Sequence, residues 1–67
     1  MKHNKLKGLR ISKDVSIEKL SEIIEVHPMT YRYKENGKYP FTITEINKII
    51  EYFELPYEQI FFEQGVR

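Results

Sequence analysis

At 67 residues the chain has room for one domain, spanning 1–67, and no second; a chain this short buries only about 60% of its unfolded surface, so its core is marginal and depends on well-formed packing or a partner. The absence of Cys excludes disulfides and thiolate metal sites, the two His (His3 and His27) lack ligand-like spacing, and no apolar run approaches the roughly 20 residues of a membrane span. The net charge of +1 is unevenly spread, with +5 over residues 1–13, −3 over 14–27, +2 over 28–40 and −3 over 41–67, a layout that fits either one basic face or an ordinary mixed surface.

Helical periodicity dominates, broken by short punctuators. Leu6, Leu9 and Arg10 share a face of a first helix near residues 3–13, which Asp14 ends at a position favouring φ > 0. Ser16 is a good N-cap for a second helix, with Glu18 in its first turn and Leu20, Ile23 and Ile24 on its apolar side, ending at about Ile24 or Glu25. Val26-His27-Pro28 marks the next start, since Pro at the first helical position loses no hydrogen bond. The third helix is predicted from Pro28 to about Asn36, with Asn36-Gly37 ending it and a loop over 37–41. Thr42 and Glu45 form a capping-box pattern ahead of Ile46, Ile49, Ile50 and Phe53, predicting a helix over 43–54. Pro56 restarts a short fifth helix to about Phe62, with Ile60 and Phe61 turned inward and 63–67 a frayed tail. The fold class is all-α, with five short helices and no convincing strand.

The second and third helices, joined by a tight turn, form a helix-turn-helix unit whose second helix can enter the major groove of DNA. With successive residues turned by about 100°, Pro28, Arg32, Asn36, Met29 and Tyr33 fall at about 0°, 40°, 80°, 100° and 140°, one contiguous face without an acid. Tyr31, on the opposite side, is expected in the core. Lys34 is expected to lay its stem on apolar surface and send its amine past the edge. Glu35 lies at the boundary. An outer face of this kind suits base edges, because Arg pairs bidentately with guanine while Met and Pro can meet a thymine methyl. It also suits a protein interface. An enzyme is not expected, because there is no Ser/His/Asp or Cys/His set, no glycine-rich phosphate loop, and the acids sit singly.

The run Leu6-x-x-Leu9-Arg10…Val15-Ser16…Leu20-Ser21…Val26-His27…Thr30-Tyr31…Glu35-Asn36-Gly37-Lys38 resembles the lambda-repressor-like (XRE, Cro/repressor) helix-turn-helix family. Residues 30–50 look most like small phage and prophage regulators of Gram-positive bacteria. The similarity covers about residues 5–62, and Glu35-Asn36-Gly37 is its most specific element. It implies a compact five-helix DNA-binding domain that reads operators through the third helix. The base-contacting positions would be His27, Pro28, Met29, Arg32 and Tyr33, and the phosphate-contacting positions Ser16, Ile17, Asn36, Lys38 and Tyr39.

Arg10 and Glu35 match a pair that bridges the first and third helices in relatives, though Arg10 could instead clamp a phosphate or be solvated. Four positions depart from the family pattern: Glu25 stands where the turn usually has Gly, Ile17 where Gln often reaches a phosphate, His27 where Ser usually caps, and Pro28 where a side chain often hydrogen-bonds a base. His27 could cap, read a base or touch phosphate.

The expected partners are double-stranded DNA and a second copy of the chain, with half-sites about 34 Å apart. No membrane, small-molecule ligand, metal or other cofactor is expected, and the setting would be the bacterial cytoplasm or nucleoid. Tyr57, Phe61 and Phe62 are the candidate dimer surface, or else they finish the core. The competing function is a protein-interaction module on the same fold, an antitoxin or repressor-pairing protein that binds DNA weakly.

Overall fold

The computed structural model describes residues 3–61. Phe62 and the predicted tail lie outside the described residues. Five helices run in order: α1 (Asn4–Ser12), α2 (Ile17–Ile24), α3 (Pro28–Glu35), α4 (Ile43–Phe53) and α5 (Tyr57–Ile60). Among the described residues there is no strand. The predicted boundaries hold to within one or two residues, and α5 is a single turn.

Each helix is too short to be stable alone, so tertiary packing supplies its stability. Every helix contributes to one core: Leu6 from α1, Leu20 and Ile24 from α2, Tyr31 from α3, Ile49 from α4 and Ile60 from α5, joined by Phe61. Val15, Val26, Phe41, Phe53 and Leu55 are half-buried against it. Phe61 is only 4% exposed, so it completes the core and is not a free surface for a second copy. His3 closes the other end of the aromatic cluster. Its ring meets the edges of Phe41 (5.1 Å) and Phe61 (5.8 Å), and its backbone N–H donates to the Glu35 carbonyl at 2.9 Å.

The helix starts follow the sequence closely. Ser16 Oγ accepts the Lys19 N–H at 3.0 Å. At α4 both halves of the capping box are present, Thr42 Oγ1 accepting the Glu45 N–H (3.1 Å) and Glu45 Oε1 accepting the Thr42 N–H (3.0 Å). The ends of α1 to α4 share one device. Asp14 (φ 61°), Glu25 (φ 62°), Gly37 (φ 89°) and Glu54 (φ 57°) are left-handed, each at the end of a helix. After α1, α2 and α3 the paired bonds of a Schellman turn are present, such as Val26 N–H to the Ser21 carbonyl (2.9 Å) with Glu25 N–H to the Glu22 carbonyl (3.2 Å).

The attachment of α3 differs from that of the other long helices. Its three buried residues are Tyr31, Lys34 and Glu35. A helix whose inner side is two-thirds charged cannot be held by apolar burial alone. Each buried charge therefore needs a partner, since one left alone costs several kcal/mol.

Candidate nucleic-acid interface

The inner side of α3 meets that demand with two ion pairs. Glu35 accepts from Arg10 Nε at 2.9 Å and Arg10 Nη2 at 3.2 Å, a bidentate pair from α1 to α3. The Tyr31 hydroxyl donates to the same carboxylate at 2.8 Å. Arg10 Nη1 donates to the Val15 carbonyl at 3.2 Å, so the guanidinium is committed to the interior and does not clamp a phosphate. The hydrogen bond that Arg10 donates to Glu35 is the main cause that holds Arg10 protonated even more firmly than usual. Burial first, and then the charge of Glu35, raises the Tyr31 phenol far above its ordinary range.

Lys34 corrects the sequence reading. Its amine does not run out past the helix edge. It turns inward and donates to Glu45 Oε1 at 2.6 Å, and both residues are buried. Lys34 and Tyr31 lie within the buried arc of α3, and Glu45 is at the third position of α4, so two opposite charges are both forced inward where they meet. The angular position of Lys34 was readable; the partner that makes burial tolerable was not, because Glu45 was already explained by its cap.

With the inner side occupied, the outer side of α3 is left open. His27, Met29, Arg32 and Asn36 are exposed, and Pro28 and Tyr33 are half-buried. Met29 is 51% exposed and so presents an apolar side chain on this outer side. No exposed residue from 27 to 40 is acidic, because Glu35 is buried. With its side chains an α-helix is about 10–12 Å across, a thickness that a major groove about 12 Å wide admits.

His27 is the cap of α3. Its Nδ1 accepts the Met29 N–H at 3.1 Å, which in the neutral ring leaves the proton on Nε2 as an outward donor. Capping and presenting a donor are therefore compatible in one side chain.

At the other end of α3, Tyr33, Lys38 and Tyr39 come together. The rings of Tyr33 and Tyr39 meet edge to face at 5.7 Å, and the Lys38 amine lies 4.6 Å from the Tyr33 centroid and 5.9 Å from that of Tyr39. Asn36 adjoins this cluster in sequence and is exposed. Ser16 and Ile17 lie at the start of α2. Ser16 is exposed but its hydroxyl is used as a cap; the Ile17 side chain packs at the core edge, leaving a first-turn backbone N–H as its polar group. On α5, Tyr57 stacks on Phe61 at 5.4 Å and remains 49% exposed.

A helix-turn-helix family model matches residues 6–60, most of the chain. This chain belongs to the lambda-repressor-like, XRE-type helix-turn-helix family. Its function class is accordingly that of a DNA-binding transcription regulator, and its fold is the all-α one expected. A comparison with curated proteins gives no match.

In this helix-turn-helix, the turn position usually held by Gly is Glu25, and it does adopt the left-handed conformation. A non-glycine residue there costs about 1–2 kcal/mol. Glu25 Oε2 accepts from Lys48 Nζ at 3.2 Å, but the Glu25 side chain is well exposed and such a surface pair offsets little of that cost. Among the described residues no helix is long and apolar enough to cross a membrane.

Proposed function

We propose that this helix-turn-helix protein recognises a specific operator in double-stranded DNA, laying α3 in the major groove as a repressor or Cro-like regulator of the phage or prophage type. The observation that carries this reading is the acid-free outer side of α3, on which His27, Met29, Arg32 and Asn36 are exposed among the described residues. Arg32 takes a guanine through O6 and N7, and Met29 and Pro28 meet thymine methyls. His27 offers its Nε2 proton, and Tyr33 packs on sugar or donates to the backbone. Lys38, Tyr39 and Asn36 hold the phosphates beside the C-terminal end of α3, while Ser16 and the first N–H groups of α2 hold those on the other side.

One module of this size has too little contact for high specificity, so the protein acts as a homodimer on two half-sites. Tyr57 is the exposed aromatic of α5 that such a dimer would cover. A bacterial cytoplasm or nucleoid is the setting this reading implies.

Selection from random duplex DNA tests the reading. The expected motif is an inverted repeat with half-site centres about one helical turn, roughly 34 Å, apart. Arg32→Ala is expected to weaken binding to that motif by about 1–3 kcal/mol and to relax one base position in each half-site. Enrichment of no motif, together with association that depends steeply on protein concentration, would favour a protein-pairing module instead.

A further inference from the structure

We propose that Lys34 and Glu45 are positioning residues for DNA contact, acting through the loop between α3 and α4. The inference rests on the DNA-binding reading above and concerns how its phosphate-facing loop is held.

That loop, 36–42, carries Lys38 and Tyr39. Its first end is fixed by the Schellman turn, with Gly37 N–H donating to the Lys34 carbonyl (3.1 Å) and Lys38 N–H to the Tyr33 carbonyl (2.8 Å). Its last end is fixed where Thr42 N–H donates to Glu45 Oε1 at 3.0 Å. The oxygen that accepts Thr42 also accepts the Lys34 amine at 2.6 Å. One carboxylate oxygen therefore joins the two ends, and Lys34 holds one with its carbonyl and the other with its amine. Between these anchors the Lys38 amine rests over Tyr33, beside Tyr39.

A buried ion pair adds little net stability compared with an apolar pair of similar shape. What this pair supplies is a single loop geometry. With it, the cation and the two phenols meet the phosphate backbone already in place, and the loop need not be ordered on binding. Lys34 and Glu45 touch no DNA in this scheme.

A double-mutant cycle separates positioning from bulk stability. The Lys34→Met, Glu45→Gln pair leaves no lone buried charge, keeps the stem of residue 34, and retains a carbonyl oxygen able to accept the Thr42 N–H. Lys38→Ala is made in both backgrounds, and binding to a selected duplex is measured from 50 to 200 mM salt, with folding followed by circular dichroism. In the native background Lys38→Ala should flatten the salt slope by about 0.9 for each protomer, about 1.8 for a dimer on two half-sites, equivalent to about a 12-fold change over that range. The paired variant should fold with an unchanged or higher midpoint, bind several-fold more weakly than native, and lose most of its response to Lys38→Ala.

An equal response to Lys38→Ala in both backgrounds overturns the inference, as does no response in the native one. A paired variant that fails to fold overturns it too, because the ion pair would then be structural. If the native protein shows no salt-dependent duplex binding, the DNA-binding reading itself fails, an outcome distinct from native binding with an additive cycle.

Discussion

Tyr31 is the one fully buried aromatic of α3, and its hydroxyl donates to Glu35, which already carries Arg10. Burial first, and then the negative charge of the neighbouring carboxylate, disfavours the ionised phenol and raises its pKa. The folded value lies above the ordinary 10, so the folded state keeps a proton that the unfolded chain releases. Stability from this group is fully present below about pH 10 and is lost as pH rises toward the folded value, at up to about 1.4 kcal/mol per pH unit. Tyr31→Phe is expected to cost about 1–3 kcal/mol at neutral pH, because a hydrogen bond to a charged acceptor is gone. It should also flatten the alkaline decline by one proton. Urea unfolding from pH 8 to 11.5 checks both, and identical alkaline slopes would show that Tyr31 does not govern the decline. The inward side of α3 was readable for Tyr31 from helical spacing. For Lys34 it was misread, because a lone lysine among apolar neighbours normally reaches for water, and its partner lies eleven residues away on another helix.

The ends of the helices show where local chemistry stops being sufficient. Asp14 and Asn36-Gly37 were recognisable as stops, because Asp, Asn and Gly tolerate left-handed backbone. Glu25 and Glu54 carry no such preference and are nonetheless left-handed. In each case the next residue explains the turn: Val15, Val26 and Leu55 follow Asp14, Glu25 and Glu54, and all three pack against the core. Burial of that apolar residue imposes the turn on whatever precedes it. Lys38, the equivalent residue after α3, turns outward instead and covers Tyr33 with its amine, so the one helix end of this type with a glycine is also the one that serves the outer surface. Glu25→Gly and Glu54→Gly should each stabilise the protein by about 0.5–1 kcal/mol, the left-handed strain relieved less the greater entropy of the unfolded glycine. Chemical denaturation of the single variants reads the change. Neutral or negative values would mean that the strain is already absorbed, or that the Lys48 pair outweighs it at Glu25.

Across the whole molecule, the charge layout limits how DNA can be held. A net charge of +1 gives no general attraction to a polyanion, and Glu18, Glu22, Glu51, Glu54 and Glu58 are exposed elsewhere on the surface. Of the five phosphate-facing candidates, Ser16, Ile17, Asn36, Lys38 and Tyr39, only Lys38 is charged. Arg32, in this reading, is committed to a base edge. Counterion release scales with the number of phosphates neutralised, at about 0.9 in slope for each. The protein should therefore bind its selected duplex with a shallow salt dependence, a log–log slope near −1 for each protomer and about −2 for a dimer on two half-sites. Its weakness on non-cognate DNA should follow from the same cause, leaving discrimination to the side chains on α3. Fluorescence anisotropy over a range of potassium chloride concentrations gives the slope directly. A value steeper than about −4 would place further cations against the backbone, and the exposed Lys7 and Lys13 of the N-terminal segment would be the next to replace by Ala. A slope near −2 that drops by about two when both copies carry Lys38→Ala would assign the electrostatic part of binding to a single lysine in each protomer.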